Sequence, residues 1–167
     1  MTKKDILILS TADWDNPFWT NKQHVAVELA KIGHRVLYID SIGLRRPSSS
    51  PQDFKRIFHR ITKSFSFPKK VRENLWVLSP IVIPSHTNRF VQKLNRFWLG
   101  LLLHLSARIL KIHFSYLWTY NPLTALLIDL KHFQFSISHC VDEIKVQPRM
   151  PLELIEFAEK QLLQDTS

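Results

Sequence analysis

The sequence predicts one three-layer α/β domain built on a mainly parallel sheet. Short, continuous apolar runs recur along the chain, as strands covered on both faces require. Between them lie stretches with apolar residues every three or four positions, the spacing of helices. The two patterns alternate, and Asp5–Asp40 reads strand, helix, strand. Such a βαβ crossover is right-handed and leaves its strands parallel. At 167 residues and 45% hydrophobic, the chain suits a single domain with a real core and is not disordered by composition.

Each element follows in chain order. Asp5–Ser10 (DILILS) is the first buried strand, and a loop runs from Thr11 to Trp19. Thr20 opens a helix, with Gln23 at the spacing of a capping box. Val25, Leu29 and Ile32 share one face of that helix, and Gly33 stands where a left-handed stop belongs. His34–Asp40 is the second strand, followed by a Pro/Ser-rich loop over 42–51. Asp53–Lys63 has the pattern of a short amphipathic helix, with Phe54, Ile57, Phe58 and Ile61 on one face. Asn74–Ser79 is a third strand, and Pro80 and Pro84 bound an extended piece.

Arg89–Lys111 is a long helix. Val91, Leu94, Trp98, Leu101, Leu105, Ile109 and Ile112 step along one side, with Arg89, Lys93, Arg96 and Lys111 on the other. Phe114–Tyr120 is rich in strand formers, and Asn121-Pro122 starts a helix to about Leu130. Phe133–Val141 is a further strand, and Pro151 begins a last helix to about Leu163.

Composition narrows the functional classes. With Cys140 as its one cysteine the chain forms no internal disulfide, which favours a reducing, cytoplasmic compartment. Cys140 lies in an apolar run and reads as core rather than nucleophile. The first apolar run is too short for a signal peptide, and the longest, Phe97–Leu103, falls far below the roughly 20 residues of a membrane span. The net charge of +9 is local: 41–72 holds nine Lys or Arg against Asp53 alone. A basic insertion therefore interrupts the domain at about 41–72. Three readings stand for it. Arg45, Arg46, Lys55, Arg56, Arg60 and Lys63 can face an anionic membrane, the inner face in a peripheral protein. The same helix can pack on the sheet and leave its charges solvated. It can bind nucleic acid, but no familiar nucleic-acid motif supports that partner.

Ligands of open α/β sheets bind beyond the carboxyl ends of the strands. The loop after the first strand holds no glycine, so neither a dinucleotide fingerprint nor a P-loop is present. It holds Asp13, Trp14, Asn16, Phe18 and Trp19 instead, with His24 on the following helix. Aromatic faces beside carboxylates and amides suit a sugar, whose C–H groups stack while its hydroxyls hydrogen-bond. Equally, Phe18 and Trp19 can fold back as a lid on the core. His24 is a candidate proton acceptor or a plain surface histidine. His139, Asp142 and Glu143 cluster after the last strand, where a carboxylate can take a proton or the charges can simply cap the sheet edge. No histidines stand at metal-ligand spacing, and no metal is expected.

Residues 5–40, ENLWVLSPIVIP over 73–84, LWTYNP over 117–122 and HCVDE over 139–143 together resemble the N-terminal domain of family 4-like, GT-B-fold glycosyltransferases. The likeness lies near bacterial cell-surface polysaccharide enzymes of the teichuronic acid type. His24, Ala26, Leu29, Ala30, Gly33, His34 and Val36 carry its most specific stretch. The resemblance implies one Rossmann-like half of a two-domain enzyme, the half that binds the acceptor. For transfer to that acceptor the catalytic base is expected at His24 or Asp142. By the match Asn16, Phe18, Trp19, His24, Asn121, Asp142 and Glu143 would line the acceptor side, and the loop's composition adds Asp13 and Trp14. The nucleotide-sugar donor and its acidic motif would belong to a C-terminal domain beyond Ser167, so this domain itself binds no cofactor. The expected activity is hexosyl transfer to a polysaccharide or lipid-linked acceptor once a donor-binding domain or subunit is supplied. The alternative is a non-catalytic module that binds carbohydrate or a membrane surface.

Overall fold

The computed structural model of the chain describes residues 2–42, 67–80, 82–83, 88–141 and 152–165. The amphipathic helix expected at 53–63, the six cations assigned to a membrane surface, and Asp142, Glu143 and Pro151 lie outside them. Six strands form one sheet: β1 (Asp5–Leu9), β2 (Arg35–Ile39), β3 (Lys69–Arg72), β4 (Leu75–Leu78), β5 (Tyr116–Thr119) and β6 (Phe135–Ser138). Their order across the sheet is β3-β4-β2-β1-β5-β6. Every neighbouring pair is parallel except β3 with β4. The helices are α1 (Asn21–Lys31), α2 (Arg89–Leu110), α3 (Thr124–Leu127) and α4 (Leu152–Asp165), with a 3₁₀ turn over Leu130–His132.

The predicted fold class stands. The chain steps outward from β1 through β2 to β4, then returns to the other side of β1 for β5 and β6. The reversal falls between β1 and β5, and that gap is where an open sheet of this kind parts its loops.

Strand alternation sorts the core into two layers. Ile6, Ile8, Val36, Tyr38, Leu75 and Val77 face α1, whose Ala26, Val27 and Ala30 press on them. Leu7, Leu9, Leu37, Ile39 and Leu117 face the opposite way, toward Leu99 of α2, Leu127 of α3 and Ile155, Ala158 and Leu162 of α4. At the amino edge Arg35 grips Asp5 through two hydrogen bonds of 2.6 and 2.5 Å, and the Asp5 carboxylate also accepts the His113 N–H at 2.9 Å. That edge is closed by its own charges.

The structure revises several local expectations. A strand at Lys69–Arg72 was not expected, because three cations in four residues carry no apolar alternation. Only pairing with β4 around Asn74, whose φ is 57°, makes it a strand, and cations are a normal feature of an exposed sheet edge. The helix expected from Asn121 to Leu130 is shorter. Asn121 Oδ1 accepts the Leu123 N–H at 2.9 Å and starts the turn, but Ile128 is already extended and Asp129 caps a separate 3₁₀ turn. Cys140 is exposed rather than in the core, because β6 ends at Ser138.

The helix faces differ most. In α1 the buried positions are Lys22, Gln23, Ala26, Val27 and Ala30, while Ile32 is exposed. In α2 the buried positions are Asn95, Leu99 and Ser106, and the stripe through Leu94, Trp98, Leu101, Leu105 and Ile109 faces out.

Candidate functional site

The loops at the β1/β5 gap are held by polar groups from three strands. Ser10 ends β1 and is fully buried. Its hydroxyl meets Tyr38 Oη at 2.6 Å and accepts the Ala12 N–H at 2.9 Å, while Tyr38 Oη donates to the Ala12 carbonyl at 2.8 Å. Burial pushes the Tyr38 phenol well above its ordinary pKa, so it remains a neutral donor. Asp40, just past β2, accepts the Trp14 N–H at 2.8 Å on one carboxylate oxygen and the Ser79 hydroxyl at 2.5 Å on the other. In dinucleotide-binding sheets an acidic residue after the second strand takes a ribose. Here that carboxylate holds backbone, in accord with a first loop that has no glycine.

α1 is tied to the same loop. Gln23 is fully buried, and its Oε1 accepts the Thr20 N–H at 3.0 Å and the Thr20 hydroxyl at 2.9 Å. Its amide nitrogen donates to the Asp13 carbonyl at 3.0 Å. The capping residue foreseen from spacing thus also anchors the loop. That second task was invisible in the sequence because it joins residues ten apart through a turn.

The proposed sugar-handling residues divide by burial. Trp14 is buried, 5.3 Å from the Tyr38 ring and 5.0 Å from the Trp19 ring. Asn121 is also buried, and its side chain fixes the turn after β5. Both residues shape the edge from beneath. Asn16, Phe18 and His24 stand at the surface, with Trp19 half-buried among them. Phe18 is 82% exposed and sits in a turn closed by its N–H to Asn16 Oδ1 at 3.1 Å. The Trp19 ring lies 5.6 Å from the His24 ring, and the Arg72 guanidinium lies over it at 5.7 Å. The backbone carbonyl of Asp13 organises the loop by accepting the Asn16 N–H at 3.2 Å.

Behind this lip sits a second cluster. Lys22 is buried, with its ammonium 5.6 Å from the Tyr120 ring centroid. The Tyr120 ring stacks at 4.9 Å on His139, whose Nδ1 accepts the Trp118 indole N–H at 3.3 Å. The Tyr120 hydroxyl is buried without a hydrogen bond of ordinary geometry, and burial pushes its pKa up to about 12. The approach of Lys22 to Tyr120 and of Arg72 to Trp19 was not foreseen. Nothing in the linear sequence places an Arg from the β3 edge over a Trp of the first loop.

The edge therefore offers an exposed ring, a half-buried indole between cation and imidazole, and an amide. It can stack on and hydrogen-bond a neutral or acidic polyhydroxyl compound. Among the described residues no cluster of His, Cys, Asp or Glu suits a metal ion. No described helix is long and apolar enough to cross a membrane. Fold and edge together define the class, an α/β domain of Rossmann-like topology with an aromatic lip at its carboxyl edge. Comparison with protein-family models finds no match, and comparison with curated proteins finds none either.

Proposed function

We propose that the chain is the acceptor-binding half of a nucleotide-sugar-dependent glycosyltransferase acting in the cytoplasm on a cell-surface polysaccharide or lipid-linked acceptor. One observation carries the reading. An exposed Phe18 beside Trp19, His24 and Asn16 forms a lip at the carboxyl edge, next to the β1/β5 reversal. The resemblance of residues 5–40 to family 4-like glycosyltransferases points the same way. An acceptor ring rests on Phe18 and the exposed part of Trp19, with a hydroxyl toward His24. Direct displacement needs a base at that hydroxyl, and His24 or Asp142 supplies it. The nucleotide-sugar is held by another domain or subunit, and no metal is required of this half.

The test is binding. The purified chain is titrated with neutral and uronic-acid oligosaccharides while indole fluorescence and amide shifts are followed. Saturable binding with shifts at Asn16, Phe18, Trp19 and His24 is expected. Phe18→Ala should weaken it about tenfold, the loss of one stacking contact. Absence of binding across the panel, or unchanged affinity in Phe18→Ala, would overturn the reading.

A further inference from the structure

We infer that the outer face of α2 is a docking surface for an anionic lipid bilayer. Phe90, Leu94, Phe97, Leu101, Leu105 and Ile109 are all exposed, the first and third by 74% and 70%. Successive members lie three or four residues apart, so they form one continuous ridge along the helix. Trp98 is exposed on its far flank. A soluble surface carries scattered single hydrophobes, whereas a contiguous stripe of this kind marks an interaction face. The stripe is not the sheet-facing side, because the buried line of α2 is Asn95, Leu99 and Ser106.

Charge selects the occupant. Residues 89–110 hold Arg89, Lys93, Arg96 and Arg108, and no Asp or Glu. On a helical projection Arg89, Lys93 and Arg96 run along the flank opposite Trp98, while Arg108 falls within the stripe at its carboxyl end. An apolar ridge edged by cations, with an aromatic residue at its border, is the pattern of a helix lying in a membrane interface. Twenty-two residues at about 1.5 Å each give a contact about 33 Å long. At Gly100 a hypothetical Cβ would meet nothing within 4 Å, and an open groove there is lined by Lys93, Arg96, Phe97, Leu101 and His104. A phospholipid seated in it sets its phosphate near Lys93 and Arg96 and its chain against Phe97 and Leu101. Arg96 also lies 3.6 Å from Asp129 on the exposed surface, an ion pair that leaves its outer side to solvent.

A second copy fits less well, since two such helices would bring cations against cations without a compensating acid on either. The bilayer reading does not depend on the proposed sugar-binding lip, which lies at the carboxyl edge of the sheet, and it uses a different surface from the basic insertion, for which a membrane is one of the three readings.

The experiment uses the full chain with phosphatidylcholine vesicles that contain or lack phosphatidylglycerol. Co-sedimentation on the anionic vesicles only, weakened by salt, is expected. Phe97→Ser with Leu101→Ser should reduce it at least tenfold, and Lys93→Gln roughly fivefold. Circular dichroism checks that the variants fold, which is expected because the altered side chains are exposed. As an independent measurement on the unaltered stripe, brominated acyl chains should quench a fluorescence component that Trp98→Phe removes. Full vesicle binding in the Phe97/Leu101 variant would move the contact to the basic insertion and overturn the proposal. So would failure of the wild-type chain to bind vesicles, or a concentration-dependent dimer that the same variant abolishes.

Discussion

α1 and α2 are both crossover helices on one sheet, one on each face, yet they turn opposite chemistries outward. α1 exposes His24, Glu28 and Lys31, with the last two paired at 2.6 Å. Inward it sets Gln23, Ala26, Val27 and Ala30. α2 sets Asn95, Leu99 and Ser106 inward and its large apolar residues outward. Asn95 binds both polar groups of the Ile83 backbone, at 2.9 and 3.0 Å, and Ser106 donates to the Leu102 carbonyl at 2.7 Å. A helix can therefore cover a sheet with one fully buried leucine, the partly buried Leu102, Leu103 and Leu110, and satisfied polar neighbours. The most apolar side of a helix need not be its core side.

The contrast can be broken at Leu99. It is fully buried in the layer shared with α3 and α4, so Leu99→Ala should cost about 3 kcal/mol in urea unfolding. If the outer stripe were the real core face, the loss would be far smaller.

Alkaline pH probes the α1 layer. Tyr38 and Tyr120 are both buried there, and their phenols stay protonated in the fold. Their contribution is intact below 10.0, the ordinary phenol value, and falls as pH rises toward about 12 for Tyr120. Stability should drop by roughly 1.4 kcal/mol per pH unit for each tyrosine in that window. Tyr38→Phe should remove its share of the slope.

Asn95→Ala leaves the Ile83 N–H and carbonyl without their partner and should cost about 2 kcal/mol by the same denaturation. Gln23→Ala, its counterpart on α1, should cost about 1 kcal/mol and loosen the first loop, seen as faster amide exchange at Trp14 and Asn16. Smallest of all, Phe97→Ser should stay within about 0.5 kcal/mol of wild type, because that side chain gains little from folding. A large loss there would mean that α2 packs by its outer stripe after all.

The strands were legible wherever both faces are covered. β1, β2, β4 and β5 stand inside the runs that predicted them, since burial on both sides demands an unbroken apolar sequence. α2 was legible in extent, Arg89–Lys111 expected against Arg89–Leu110 found. Its facing was not, because hydrophobic spacing reports where an apolar stripe lies and not what it meets. β3 was illegible, since Lys69, Lys70 and Arg72 become a strand only through a neighbour. That the first loop leaves the sheet at its carboxyl edge was legible from chain order. The division of labour within the candidate site was not. Trp14 and Trp19 look alike in sequence, but the Trp14 N–H is taken by Asp40 and its ring sits on Tyr38, while Trp19 is left half-buried under Arg72.

Sequence alone determined the parallel α/β architecture and the absence of a glycine cradle after β1, since both follow from local residue type and spacing. The tertiary structure decided which side of each helix meets the sheet and which aromatic residues remain at the surface. Those outcomes depend on contacts between residues far apart in the chain, such as Asp40 with Ser79 and Asn95 with Ile83. Local periodicity carries no record of them, because one helical pattern is compatible with packing on either face until a partner takes one.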